Sequence, residues 1–260
     1  MDFVGYNSRA WDQLVAKGNV WTIPVSQEQI AAARASGVPN IVLTPQKSVP
    51  ESWLAGLRGA NVLCLAGGGG QQGPLLAACG ANVTVFDNSP WQLDQDRQVA
   101  QREGLAIELV QGDMRDLSEL SSEQFDLIVH PCSNTFVDDV RRVWQEAFRV
   151  LKSGGALIAG FCNPLVFIFD YERLEAGELV VRYSIPFSDI DDLPPGELEQ
   201  FLAAGEAVCF GHTLEDQIGG QTDAGFSITG FYEDNWDNDS AYKHLSAHIA
   251  CFAATRAIKS

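Results

Sequence analysis

The chain has 260 residues, and its 34 acidic side chains outnumber its 17 basic ones, giving a net charge of −17 at pH 7. With 46% hydrophobic and 20% charged residues, the composition is that of a folded globule and excludes disorder as the dominant state. Such an acidic surface repels phosphate backbones, and the basic residues are scattered, Arg141-Arg142 being the densest pair, so no nucleic-acid partner is expected.

The six cysteines lie far apart with no C-x-x-C, several of them inside apolar runs such as Leu63-Cys64-Leu65. Buried thiols are expected there, rather than a disulfide scaffold or a zinc site. The first residues lack the basic start and apolar core of a secretory signal. The longest apolar stretch, 156–169, is interrupted by Asn163-Pro164 and is too short to span a bilayer. A soluble, cytoplasmic protein without a membrane partner is the expectation, and nothing in the chain sets an oligomeric state.

Residues 1–50 read as a helical cap, with helices over 9–17 and 26–36. Ser26 is the expected N-cap of the second, with Gln29 three residues on as in a capping box. From Asn61 strands and helices alternate: strand 61–65, helix 71–79, strand 82–86, helix 90–103, strand 106–111, strand 125–130, helix 138–151 and strand 156–161. Near-continuous apolar strands between helices imply a parallel sheet covered on both faces, a core spanning 51–164. The rhythm breaks after Asn163. Residues 179–185 alternate like an edge strand, and 189–200, with Pro194-Pro195-Gly196, read as an acidic loop, so 165–210 forms an inserted lid. Residues 211–260 then supply a helix (214–224) and two strands (227–232 and 249–258), which add antiparallel strands to the sheet edge. His244 and His248 fall in a strand-like approach to the last strand, where their spacing does not suit a metal. Asp189, Asp191 and Asp192 suit a solvated loop better than a cation site.

The chemistry concentrates where the first strand ends, in Ala66-Gly67-Gly68-Gly69-Gly70-Gln71-Gln72-Gly73. Glycines let the backbone turn sharply and approach a ligand, and the helix that follows offers free N–H groups. Asp87 ends the second strand, where an acidic residue accepts ribose hydroxyls in dinucleotide-type sites. Gly68-x-Gly70-x-x-Gly73 formally satisfies a dinucleotide fingerprint, which leaves two cofactor classes open. The third strand end, Gln111-Gly112-Asp113-Met114, offers a carboxylate beside an apolar side chain, suited to the edge and face of an adenine. Hydride transfer through a Tyr-x-x-x-Lys dyad is absent, because none of the five tyrosines has Lys at that spacing.

A chain that holds adenosine at three successive strand ends resembles the class I S-adenosylmethionine-dependent methyltransferases. The resemblance covers roughly residues 62–163 and implies a doubly wound α/β fold: a mostly parallel seven-stranded sheet with a C-terminal antiparallel hairpin, an N-terminal helical cap and an inserted lid. It implies S-adenosylmethionine as cofactor. The methionine part and adenosine fall to Ala66, Gly67, Gly68 and Gly70, the ribose to Asp87 with Asn88 beside it, and the adenine to Gly112, Asp113 and Met114. The end of the fourth strand, His130, lines the cofactor and acceptor pocket. The family often carries an acidic residue where this chain has Cys64, and glycine where it has Ala66. Backbone carbonyls near Ala66 and His130 are the expected substitutes for that missing carboxylate.

The expected reaction is in-line methyl transfer to a small-molecule acceptor, cationic or neutral rather than polyanionic. His130 is a candidate base or a wall of the pocket, and His212 a second candidate base or a surface or capping group. Tyr6, Trp11, Trp21 and Asn134 are the candidate substrate contacts, the aromatic ones equally readable as packing of the cap on the sheet. Phe167, Phe169, Tyr171 and Phe187 either floor the acceptor pocket or pack the lid. An NAD(P)-dependent oxidoreductase and a non-catalytic nucleoside-cofactor-binding module are the competing readings.

Overall fold

The computed structural model describes residues 1–237 and 242–260. Five strands run parallel in one sheet: β1 (Asn61–Leu65), β2 (Asn82–Asp87), β3 (Ile107–Gln111), β4 (Phe125–His130) and β5 (Leu151–Cys162). β6 (Phe226–Asp234) and β7 (Phe252–Lys259) are antiparallel and complete a seven-stranded sheet in the order β3-β2-β1-β4-β5-β7-β6. This is the doubly wound sheet with a C-terminal hairpin that the sequence predicts. The chain moves outward from β1 to β3, returns, and moves outward again from β4. The carboxyl ends of β1 and β4 therefore flank the crevice where such sheets bind ligands.

β1 shows why the sheet is covered twice. Val62, Leu63, Cys64 and Leu65 are all fully buried, and their side chains alternate between two cores. Val62 and Cys64 join the layer packed by α2 (Gln27–Ser36), α3 (Gln72–Ala78) and α4 (Pro90–Glu103), while Leu63 and Leu65 face α5 (Val140–Val150). Each fully buried aliphatic side chain contributes about 1.5–3 kcal/mol. α5 buries Val140, Val143, Trp144, Ala147 and Val150, a stripe at helical spacing. Its open C-terminal carbonyls are met by Lys259, whose Nζ donates to Phe148 O at 2.8 Å and Leu151 O at 2.7 Å.

Before the sheet, α1 (Phe3–Lys17) starts six residues earlier than the sequence suggests, because the Asp2 carboxylate accepts from Gly5 N at 3.0 Å and caps it. α2 has the expected capping box between Ser26 and Gln29. After β5 the expectations need correction. Residues 179–185 form no strand; Val181 makes a single bridge with Phe169 and is 64% exposed. Residues 189–200 are helical, with a turn at Asp189–Asp192 capped by Ser188 and then α6 (Pro195–Ala204). Pro195 initiates α6 because a first-turn residue needs no N–H partner. A two-stranded pair, Phe187–Ser188 with Phe210–Gly211, stands apart from the main sheet. The helix expected over 214–224 is a π-helical turn, Glu215–Gly219, running into Gly220–Asp223. The last strand begins only at Phe252, and the stretch before it carries a short helix, Lys243–Ser246, in place of the strand-like run. Among the described residues no helix is long and apolar enough to cross a membrane.

Candidate active site

β1 ends in Ala66, a non-glycine residue at φ +48°, whose N–H donates to Phe86 O at 2.7 Å and whose carbonyl accepts from the Ser133 hydroxyl. Gly69 and Gly70 follow at φ +107° and +71°, conformations that side chains other than glycine resist. The loop is held from below by carboxylates. Asp87 Oδ2 accepts from Gly68 N at 3.0 Å and its Oδ1 from Ser89 N at 2.9 Å. Asp96 Oδ2 accepts from both Gly69 N and Gly70 N, each at 3.0 Å. Burial raises the Asp87 carboxyl above its ordinary range, opposed by these N–H bonds, and pushes Asp96 up to about 7. Sequence reasoning missed Asp96. The available signal was its place on the apolar stripe of α4, with Leu93, Val99 and Ala100.

Ala66, Gly67, Gly68, Asp87, Asn88, Gly112, Asp113 and Met114 all border one cavity of about 370 Å³. Close approach explains two of the glycines: a Cβ at Gly68 would stand 3.1 Å from Asp87 Oδ2, and one at Gly112 would stand 2.3 Å from the Phe86 ring. Asn88 anchors the cap, its carbonyl accepting from Ser8 Oγ at 2.8 Å. Asp113 pairs with Arg115, Nη2 to Oδ2 at 2.6 Å, and the guanidinium lies over the Phe3 ring. A nucleoside fits this donor set: a glycine cradle, a carboxylate at the β2 end, and Met114 beside Asp113 at the β3 end.

Gly70 does not reach the cavity, because it is turned toward α4, where a Cβ would stand 3.1 Å from Gln95 O. His130 is a second correction. Its side chain points with Ile128 into the α5 core, is fully buried, and meets Trp144 edge-on at 5.8 Å. His130 Nδ1 lies 2.8 Å from Leu65 O, and since a carbonyl only accepts, that nitrogen carries the proton. Burial lowers the imidazole to about 4, so it is neutral and walled off from the cavity. His212 is likewise buried, with Nε2 3.0 Å from Asn134 O, and burial lowers its basicity. Neither ring borders the cavity.

Asn134 is also withdrawn from it: its amide binds Gly160 O and exchanges hydrogen bonds with Gln217, fixing the π-helical turn to β5. Tyr6 gives its hydroxyl to Leu202 O at 3.1 Å, tying α1 to α6, and does not border the cavity. Trp11 and Trp21 do border the cavity, Trp11 packed edge-on against Phe136 at 5.1 Å. Asn7 strengthens this cap, its side chain bonding Phe136 O and both N–H and C=O of Val208.

Beyond the cofactor end the wall changes character. Cys132 and Cys162 face each other there, joined by Cys209, Phe167, Tyr171, Trp236, Tyr242 and Phe252. Burial raises the Cys132 and Cys209 thiols well above their ordinary range, so they are uncharged. Of the Phe167, Phe169, Tyr171 and Phe187 group, Phe167 and Tyr171 border the cavity and Phe187 stacks behind Phe167 at 5.9 Å. Asp189 is not solvated as the sequence implied: it is 2% exposed, bonds Cys209 N at 2.7 Å, and is pushed up to about 6 by burial.

Comparison with known proteins agrees with this geometry. Residues 63–159 match the family described as a methyltransferase domain. The chain is 52% identical over 256 residues, 98% of both proteins, to a Bacillus subtilis (strain 168) protein described as uncharacterized methyltransferase YbaJ. Its fold is similar to an S-adenosylmethionine-dependent methyltransferase from Mesorhizobium loti, at TM-score 0.60 and 18% identity over 80% of this chain and 94% of that one. It is also similar to one described as putative from Listeria monocytogenes, at TM-score 0.57 and 15% identity over 90% and 100%. The chain belongs to the class I S-adenosylmethionine-dependent methyltransferases.

Proposed function

We propose that the protein transfers the methyl group of S-adenosylmethionine to a small, uncharged, largely apolar acceptor. The observation that carries this reading is the far wall of the cavity. Among the described residues bordering the cavity the only charged side chains are Asp87 and Asp113, and both stand at the cofactor end. A charged acceptor would be stripped of water there without a counter-charge, a cost of several kcal/mol.

In this reading Ala66, Gly67 and Gly68 take the methionine part, Asp87 the ribose hydroxyls, and Gly112, Asp113 and Met114 the adenine. The cofactor, when bound, supplies a methyl group already activated by its sulfonium. The protein's share is alignment and dehydration. Trp11, Trp21 and Phe136 shut water out from above, while Cys132, Cys162, Phe167 and Tyr171 hold the acceptor by apolar contact. Neither histidine takes a proton, so the reading favours an acceptor atom that is nucleophilic near neutral pH.

Incubation with methyl-labelled cofactor and three acceptor panels tests this: uncharged aromatic or aliphatic compounds, cationic amines, and polyanions. Label is expected in the first panel. Transfer confined to amines or polyanions would overturn the assignment.

A further inference from the structure

We propose that Asp96, on the buried face of α4, is a positioning residue that anchors the glycine loop beside Cys64, the β1 position where the family resemblance expects a carboxylate. It acts through the backbone of Gly69 and Gly70 and does not border the cavity, so the inference does not depend on the identity of the acceptor.

Three observations converge. Asp96 is fully buried, and one of its oxygens binds two successive loop amides while Oδ1 has no partner at all. A carboxylate left half-satisfied in the interior is costly, and it is retained here where the loop must hold two left-handed residues in place. The surroundings are cut to fit it: a Cβ at Gly73 would stand 3.1 Å from Asp96 Oδ1 and 2.8 Å from Val85 Cγ2. Cys64 cannot perform the task, since burial drives its thiol far above the range in which it ionises. Asp96 is the charged group that acts on that thiol, so the two share one neighbourhood.

The titratable groups facing Asp96 are Cys64 from β1 and Asp87 from the end of β2. α3 sets Gly73 against it, and the stretch before α2 sets Pro24 against Gly70. An ionised Asp96 accepts both amides as charge-assisted bonds, roughly twice as strong as neutral ones. Loop order, and with it cofactor affinity, should therefore rise as Asp96 loses its proton near pH 7.

The test measures S-adenosylhomocysteine binding by calorimetry from pH 6 to pH 8 in the wild-type enzyme and in D96N. Ligand titration is common to both proteins and cancels. Wild-type affinity is expected to gain about tenfold over D96N across that interval. Equal pH dependence in the two proteins overturns the proposal. Amide resonances of the ligand-free wild-type protein keep it falsifiable if D96N does not fold. Gly69 and Gly70 should shift together with one midpoint near 7, while Gly68, bound to Asp87, follows a different curve. Gly69 and Gly70 signals that stay constant through that range overturn it as well.

Discussion

The two ends of the cavity are built by opposite means. At the cofactor end the protein presents backbone: glycine amides, strand-end carbonyls, and the carboxylates of Asp87 and Asp96 that hold them. At the far end it presents side chains, the thiols of Cys132, Cys162 and Cys209 among aromatic rings, with no charge among the described lining residues. A polar cofactor common to a whole family can be gripped by main chain, whose geometry survives wide sequence change. An acceptor is selected by shape and dehydration, which only side chains supply.

Acid probes the core behind both ends. His130 is held near 4 in the fold against about 6.5 in an unfolded chain, so the unfolded state takes up the proton first. Its contribution to stability is complete above pH 6.5 and is lost as pH falls toward 4. Urea denaturation at pH 7 and pH 4 should show the wild type losing about 3 kcal/mol more than His130→Leu. An equal loss in both proteins would place the acid sensitivity elsewhere.

Asp87→Ala strips the partner from Gly68 and Ser89 and removes the carboxylate that faces the cavity. Calorimetry with S-adenosylhomocysteine should show affinity falling on the order of 100-fold, the worth of one or two charge-assisted bonds. Phe167→Ala is the counterpart at the other end. It should raise the acceptor KM about tenfold, a loss near 1.5 kcal/mol, and leave cofactor affinity unchanged. A cofactor defect in Phe167→Ala would show that the two ends are not separable. The smallest effect belongs to the cap: Ser26→Ala should cost about 1 kcal/mol in thermal or urea unfolding and leave both ligand constants intact.

The same contrast explains what was legible in the sequence. The cofactor half is encoded locally: the first three strands each end in a short signature, and the residues these single out, Gly68, Asp87 and Asp113, border one cavity. The acceptor half draws on positions 132, 162, 209, 236 and 252, which no local pattern relates. His130 illustrates the limit of reading a strand end. The two-residue period turns its side chain away from the crevice and into the α5 core with Ile128, a parity that strand position alone does not reveal. The helical nature of α6 was masked by Pro194-Pro195, a pair that breaks a helix from within but starts one from its edge. Asp96 stayed hidden because an acid in mid-helix ordinarily faces water.

The bonds from Asn7 to Val208 carry a consequence for biogenesis. These partners are 201 residues apart, so α1 can complete this contact only after Val208 has been made. Until residue 208 is made, α1 lacks these bonds and has only its earlier partners, among them Asn88 and Ser89 at the start of α4. Closing so long a loop is entropically slow. Assembly of the roof should therefore be the late step of folding, following a sheet whose parallel strands can already pair.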